Sequence, residues 1–193
     1  LIQQKKIKEI IVVAISNTPN RMDDYTPVKD PSYGGGQGDR YLYFLIHTIK
    51  PYIDKRFRTK KDAQNTALIG SSLGGLISLY AALKYSHVFS KIGAMSPSIW
   101  WGSRYILRAI QKVKLSPKLK IWLDMGTREG QADRNHNGIL DTLDDARAMK
   151  NLLLQKGFSY SRNLAYYEDI GAQHNEYFWA RRVWRPLRYF FGK

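Results

Sequence analysis

The sequence of 193 residues contains no cysteine and no long apolar run. Without cysteine there can be no disulfide bond, no thiolate metal site and no cysteine nucleophile. The longest purely apolar run, residues 10–15, is far shorter than the roughly 20 residues that a membrane-spanning helix needs. We therefore expect no segment that spans a bilayer.

Acidic residues are also few: the chain has 16 Asp and Glu but 31 Lys and Arg, and its formal net charge is +15. Such a charge can steer a protein toward nucleic acid, an anionic membrane surface or an acidic substrate. The basic residues, however, are spread along the chain and coincide with no nucleic-acid-binding motif. We expect no nucleic-acid partner, and the sequence leaves the oligomeric state open.

The length and the apolar fraction of 44% predict one globular domain over residues 1–193. The chain begins at Leu1 rather than Met, and lysines follow where a signal peptide would have an apolar core. We therefore expect the natural N-terminus to lie upstream of Leu1.

Short β-branched runs alternate with segments of helical periodicity along the chain. The predicted strands cover residues 9–15, 66–70, 91–96, 119–125 and 163–169. The predicted helices cover residues 40–54, 73–85, 103–113, 142–156 and 175–191. This alternation is typical of an α/β fold with a mostly parallel sheet and helices on both faces. The long connections, residues 16–39 and 126–141, are expected to carry function.

Residues 70–74, Gly-Ser-Ser-Leu-Gly, fit the G-x-S-x-G pattern with Ser72 in the nucleophile position. The pattern alone is weak, but an apolar strand precedes it and a helical segment follows, which is the setting of a nucleophile elbow. The glycines allow a sharp turn that projects the serine hydroxyl. The backbone amide of Leu73 would then face a developing oxyanion. The alternative is a Gly/Ser turn that only caps a helix, and Ser71 is expected to point elsewhere.

A serine hydroxyl needs a base to remove its proton, and the chain has only four histidines. His174 lies between the last predicted strand and the last helix, which is the position of the base in this architecture. A solvated loop histidine without a role is the alternative. The base needs a carboxylate that precedes it in the chain. We favour Glu129, whose loop position lets it reach a histidine, over Asp124 on the preceding strand.

Four segments together resemble the putative-esterase family of α/β hydrolases, which contains esterase D, feruloyl and acetylxylan esterases, mycolyltransferases and enterochelin-esterase-like siderophore hydrolases. The segments are AISNTPNRMDDYTP, GSSLGGLISLYAALKYSHVFSKIGAMSPSIWW, GTREG and GAQHNEYFWARR. The resemblance covers essentially the whole chain, implies an α/β-hydrolase fold and supports Glu129 and His174. Family members carry further N-terminal strands and an Asp-Gly loop that contributes to the oxyanion pocket. The resemblance therefore implies that this chain lacks those strands.

Aromatic and basic side chains near the predicted site are candidates for contacting a substrate. We nominate Trp100 and Trp101, which follow the strand that ends at Ser96, together with Arg21 and Tyr25 in the first long connection. The alternative for the tryptophans is packing in the core, because indole area is so often buried. The alternative for Arg21 is that it braces its own loop.

Residues 133–144, DRNHNGILDTLD, fit the twelve-residue calcium-loop pattern with a glycine at position 6. The candidate ligands are Asp133, Asn135, Asn137, the Ile139 carbonyl, Asp141 and Asp144. The alternative is an Asx-rich turn that caps the following helix. Calcium loops of modest affinity suit extracytoplasmic surroundings, so the pattern favours a periplasmic or secreted protein.

The sequence thus predicts a serine carboxylic-ester hydrolase that needs no organic cofactor and acts on a small-molecule or carbohydrate-linked ester. Two alternatives stay open. One is a non-catalytic module of the same fold that binds an anionic polymer through its basic, aromatic-rich surface. The other is an acyltransferase that uses the same serine.

Overall fold

The computed structural model describes residues 1–193, with four strands that form one parallel sheet. The strands are β1 (Ala67–Ser71), β2 (Lys91–Met95), β3 (Lys120–Gly126) and β4 (Leu164–Asp169), and they lie side by side in chain order. Parallel neighbours need a long crossover connection, and a helix supplies each one here. The mostly parallel α/β fold expected from the sequence is therefore confirmed.

Eight α-helices accompany the sheet. They are α1 (Arg21–Asp24), α2 (Gly38–Phe44), α3 (Lys50–Arg56), α4 (Leu73–Lys84), α5 (Trp101–Lys112), α6 (Asp141–Gln155), α7 (Glu176–Arg182) and α8 (Trp184–Phe191). A π-helical segment, Leu45–Ile49, joins α2 to α3, so the helix predicted over 40–54 is interrupted. The helix predicted over 175–191 is divided into α7 and α8, and Pro186 lies in the first turn of α8, where a missing N–H is tolerated. No helix is both long and apolar enough to cross a bilayer.

The core lies on both faces of the sheet, because side chains of a strand alternate between its faces. On β3, Ile121 and Leu123 belong to the larger apolar cluster, which also contains buried side chains of α4, α5 and α6. Trp122 belongs instead to a smaller cluster with Met95 and with Phe190 of α8. Helices thus cover both faces, as predicted.

The strand predicted over residues 9–15 is wrong. These residues form no strand, and Ile11, Val12 and Val13 are 50%, 72% and 42% exposed. β-Branched residues favour extended backbone, but a strand exists only where a neighbouring strand completes its hydrogen bonds. The nearest pairing is a single antiparallel bridge between Ile7 and Gly192. The sheet consequently has four strands instead of the predicted five.

The register of the sheet brings functional side chains to one edge. Ser71 at the end of β1 is paired with Met95 of β2, and Met95 is paired with Asp124 of β3. The loops that leave these carboxyl ends therefore begin next to one another. In open parallel sheets this edge is where ligands bind.

Candidate active site

Ser72 lies in a strained turn between β1 and α4. Its backbone has φ 57° and ψ −123°, a conformation that residues with a Cβ atom rarely adopt. The turn is held from two sides, because the Ser72 amide donates to the Met95 carbonyl and the Ser72 carbonyl accepts from the Ser98 amide. The Ser98 hydroxyl lies 3.4 Å from Ser72 Oγ. The next residue, Leu73, is the first of α4, so its amide is among those without a partner inside the helix.

The two glycines of the motif differ in what surrounds them. A Cβ atom at Gly70 would lie 2.4 Å from the carbonyl carbon and oxygen of Gly74, so only glycine allows the end of β1 to approach the first turn of α4. A Cβ atom at Gly74 would meet nothing within 4 Å. The motif therefore needs glycine at position 70, where no side chain fits. At position 74 there is room for a side chain.

We expect Gly70→Ala to lower the free energy of unfolding by at least about 2 kcal/mol, because the clash is with backbone that cannot rotate away. Gly74→Ala should leave the melting temperature unchanged or raise it, since alanine favours a helix more than glycine does. Thermal unfolding followed by circular dichroism measures both. Equal melting temperatures for the two variants would contradict this account of the turn.

His174 and Glu129 complete a chain of hydrogen bonds that starts at Ser72. His174 Nε2 lies 2.9 Å from Ser72 Oγ, and His174 Nδ1 lies 2.7 Å from Glu129 Oε2. His174 immediately precedes Asn175, whose side chain caps α7, and the Trp179 ring meets the imidazole edge to face at 4.9 Å. The structure thus brings together the three side chains nominated from sequence, although His174 is 45 residues from Glu129 and 102 residues from Ser72 in the chain.

Glu129 is fully buried in the loop after β3. Burial alone would raise the pKa of this carboxyl, but hydrogen bonds from His174, Ser96 and the Gly126 amide outweigh it, and the pKa lies below its ordinary value. A Cβ atom at Gly126 would come within 2.5 Å of Glu129 Oε1, so glycine is needed there. The Thr142 hydroxyl donates to the Glu129 carbonyl and anchors the loop to α6. The acid is therefore held ionised and in one position.

Asp124, the second candidate for the acid, does not contact His174. Its Oδ1 accepts from Arg182 Nε at 2.9 Å, and its Oδ2 accepts from Trp122 Nε1 at 2.6 Å. Burial raises the pKa of Asp124, and the neighbouring guanidinium opposes that rise. Of the two carboxylates, only Glu129 is in reach of the imidazole.

Sequence reasoning missed Arg182 and Ser96, which lie directly behind Glu129. Arg182 is 2% exposed and donates to Asp124, to Glu129 and to the Ser96 hydroxyl. It is one of four arginines between residues 181 and 188, and nothing in the sequence distinguishes it from those on the surface. The sequence feature that could have indicated Ser96 is its position directly after β2, at the carboxyl edge of the sheet.

The nominated substrate-contacting residues separate into buried and accessible ones. Trp101 is 1% exposed and donates to the Val28 carbonyl, so its nomination as a pocket wall is wrong and it packs as a core residue that fixes the first long connection. Trp100 is 38% exposed. Arg21 lies over the ring of Tyr25 at 5.8 Å, and both are half-buried. None of the three accessible side chains makes a hydrogen bond or aromatic contact with Ser72, His174 or Glu129.

The calcium-like loop is exposed and held by its own polar side chains. Asp133 accepts from the backbone amides of Asn137 and Gly138, and Asp144 Oδ2 accepts from the side-chain amides of Asn135 at 3.0 Å and of Asn137 at 2.9 Å. Asp141 instead accepts from the Arg134 amide and guanidinium. No three His, Asp or Glu side chains gather into a metal-binding cluster. Four of the nominated ligands thus belong to one hydrogen-bonded loop, with Asp141 turned toward Arg134.

Comparisons with known proteins relate the chain to esterases. The family described as "Putative esterase" matches residues 1–189. The uncharacterized protein YbbA of Bacillus subtilis (strain 168) is 28% identical over 197 residues, covering 99% of this chain and 77% of YbbA. The ferri-bacillibactin esterase BesA of the same organism is 29% identical over 120 residues, which are 62% of this chain and 39% of BesA. The crystal structure of the BES protein from Bacillus cereus aligns with a TM-score of 0.75 at 22% identity, covering 100% of this chain and 74% of that one.

A parallel sheet with a strand–turn–helix elbow that carries a serine within hydrogen-bond distance of a histidine, at the carboxyl ends of the strands, is typical of the α/β-hydrolase class. The match over residues 1–189 shows that the chain belongs to the putative-esterase family. The resemblance found in the sequence is confirmed, and the chain is a carboxylic-ester hydrolase of this family.

Proposed function

We propose that the chain is a serine esterase that works through an acyl-enzyme on Ser72. The observation that carries the proposal is the continuous line of hydrogen bonds from Ser72 Oγ through His174 to Glu129 at the carboxyl edge of the sheet. A serine is a strong nucleophile only when such a base takes its proton as it attacks. The strained backbone of Ser72 further supports a functional role, because strain of this kind concentrates at active sites.

In the first half of the reaction, Ser72 Oγ attacks the ester carbonyl carbon while His174 Nε2 accepts the hydroxyl proton. Glu129 Oε2 accepts from Nδ1–H, which fixes the tautomer and stabilises the imidazolium. The Leu73 amide, at the positive end of the α4 dipole, donates to the developing oxyanion. Collapse of the tetrahedral intermediate breaks the ester C–O bond, and the imidazolium gives its proton to the departing alkoxide.

In the second half, His174 takes a proton from water, and the resulting hydroxide adds to the acyl carbon. Collapse breaks the bond to Ser72 Oγ, which recovers its proton from the imidazolium, and the carboxylic acid leaves. No organic cofactor takes part in this cycle. An acceptor alcohol in place of water would make the same intermediate an acyltransferase.

For the substrate class we propose siderophore esters first, because BesA is a ferri-bacillibactin esterase and matches 62% of this chain. The test is hydrolysis of three ester types by the chain: a p-nitrophenyl acyl ester, a catecholate siderophore lactone and a feruloyl sugar ester. We expect the chain to hydrolyse the lactone with a higher kcat/KM than either of the other two esters. Turnover of none of the three by folded protein would overturn the proposed function, and preference for the feruloyl ester would overturn the substrate class alone.

We also propose that the 133–144 loop binds calcium and thereby steadies the loop that carries Glu129. Asp144 Oδ2 already draws the side-chain amides of Asn135 and Asn137 together, and Asp133 holds the turn through the backbone amides of Asn137 and Gly138. On binding an ion, the two side-chain amides would rotate, and their oxygens would exchange the bonds they accept from the Asn137 and Ile139 amides for bonds to the ion. The oxygen-only donor set fits a hard cation.

Millimolar calcium is expected to raise the melting temperature relative to the protein in excess chelator, because an ion that binds only the folded state stabilises it. Magnesium serves as the cation control, and Asp144→Asn should remove the rise while leaving the fold intact. Identical melting curves in calcium and in chelator would contradict the proposal.

A further inference from the structure

The two oxygens of Glu129 have different surroundings. Oε1 accepts from Ser96 Oγ at 2.6 Å, from the Gly126 amide at 2.7 Å and from Arg182 Nη2 at 3.3 Å. Oε2 is left for His174 Nδ1 at 2.7 Å. The carboxylate is fully buried, so bulk solvent reaches neither oxygen. The donors on Oε1 therefore determine which way Oε2 points.

The Ser96 hydroxyl is the most constrained of these donors. It accepts from Trp179 Nε1 at 3.0 Å and from Arg182 Nη2, which uses the acceptor capacity of its oxygen. Its own proton can then be directed only at Glu129 Oε1. Ser96 is fully buried and has φ 43°, a left-handed conformation that is unfavourable for serine. The surrounding structure thus holds this hydroxyl in place at a cost in backbone strain.

The charges behind Glu129 set how much negative charge faces His174. Arg182 is paired with Asp124 at 2.9 Å and with the mostly buried Asp169 at 3.3 Å. Among the fully buried groups, Asp124 and Glu129 contribute two negative charges and Arg182 contributes one positive charge. Because Arg182 Nη2 also lies 3.3 Å from Glu129 Oε1, this one cation is shared between the two carboxylates and offsets only part of the negative charge that faces His174.

We propose that Ser96 is a positioning residue of the catalytic acid: its hydroxyl, oriented by Arg182 and Trp179, fixes Glu129 so that Oε2 alone faces His174. The inference rests on the proposed function, since it assigns Ser96 a role in the chemistry of Ser72. The Ser96 hydroxyl makes no hydrogen bond with Ser72; its partners are Glu129, Trp179 and Arg182, so it acts through Glu129.

Removing the Ser96 hydroxyl has two expected consequences. Glu129 Oε1 loses its shortest hydrogen bond, so more negative charge resides on Oε2 and the protonated base is held more strongly. Of the charged groups in this network, only Glu129 contacts the base, while Arg182, Asp124 and Asp169 lie behind Glu129 and are not altered by the substitution. The carboxylate also gains freedom to rotate, which lowers the rate of the proton transfer without changing how an ester binds.

The test compares Ser96→Ala with the wild-type chain by the rate of Ser72 labelling with a fluorophosphonate across pH, followed by intact mass spectrometry. The maximal labelling rate should fall about 10-fold. The acid limb of the profile, where the base is protonated, should move to higher pH, because the carboxylate that faces the base has lost a donor. With an ester substrate, kcat should fall while KM stays the same.

Ser90→Ala is the matched control, because Ser90 is a buried serine at the opposite end of β2 whose hydroxyl donates to the Ala63 carbonyl. It should lower stability without moving the profile. Ser96→Gly removes the hydroxyl while relieving the positive φ, so it gives the same test if the alanine variant fails to fold. A wild-type chain that takes no label overturns the proposed function and this role with it. A labelled wild type whose pH profile is shared by the Ser96 variants overturns the role of Ser96 alone.

Discussion

Ser72→Ala is expected to lower kcat/KM for every ester substrate by at least about 10,000-fold, because in the proposed mechanism Ser72 Oγ carries the acyl group. The wild-type chain should take a single fluorophosphonate adduct, detected by intact mass spectrometry, and the same change should abolish it. Alanine keeps the Cβ atom that is already accommodated at φ 57°, so the melting temperature should stay close to that of the wild type. The loss of activity would then report the missing hydroxyl and not a damaged fold.

Two further variants sharpen this prediction. Ser71→Ala alters the adjacent serine at the end of β1 and should retain both the adduct and most of the activity. Ser72→Gly should be as inactive as Ser72→Ala but more stable by about 1 to 3 kcal/mol, because glycine adopts the turn without strain. An adduct that persists in Ser72→Ala and disappears in Ser71→Ala would assign the nucleophile to the wrong serine.

Glu129→Gln is expected to lower kcat/KM by about 1,000- to 10,000-fold, a loss of the size known for an acid-to-amide change in a Ser-His-Asp enzyme. The reason lies in the donors around the acid. Ser96, Gly126 and Arg182 all point N–H or O–H groups at Oε1, so the amide oxygen must occupy that position. The amide NH₂ then faces His174 Nδ1 and favours the tautomer whose proton is on Nε2. That tautomer cannot accept the proton of Ser72.

Asp124→Asn is the matched control, because it removes the charge of the other buried carboxylate. Breaking its ion pair with Arg182 should destabilise the protein by about 3 to 5 kcal/mol. The hydrogen bonds that join Ser72, His174 and Glu129 do not involve Asp124 and should stay intact. Measured at a temperature where both variants are folded, Asp124→Asn should lose far less activity than Glu129→Gln. The reverse order would make Asp124 the carboxylate on which the base depends.

The close packing of Asp124, Arg182, Ser96 and Glu129 links stability to the proposed chemistry. A buried ion pair is costly to desolvate and is weak support for stability by itself. Here the pair fixes the donors that hold Glu129, so substitutions in this network should change both unfolding and catalysis. Substitutions at the opposite edge of the sheet, such as Ser90→Ala, should change unfolding alone.

Much of the candidate site could be predicted because its members lie in local patterns. Ser72 is marked by glycines and by the change from strand to helix, and His174 by its position between the last strand and the last helix. The choice of Glu129 over Asp124 followed from the freedom of a loop side chain, and the structure brings Glu129 to the histidine. Trp101 was assigned to the wrong surroundings, because an indole that follows a strand can equally face a pocket or the core.

The order of the four observed strands and the helices between them, the parallel α/β class and the three side chains nominated for catalysis could be predicted from the sequence, since each depends on periodicity or on residues close in the chain. The other features depend on contacts between distant segments. Residues 9–15 have strand-forming side chains, but no neighbouring strand completes their hydrogen bonds. Arg182 resembles the arginines beside it until the fold buries it against Asp124 and Ser96. Strand pairing and side-chain burial depend on segments that are far apart in the sequence. Local sequence patterns therefore cannot predict them.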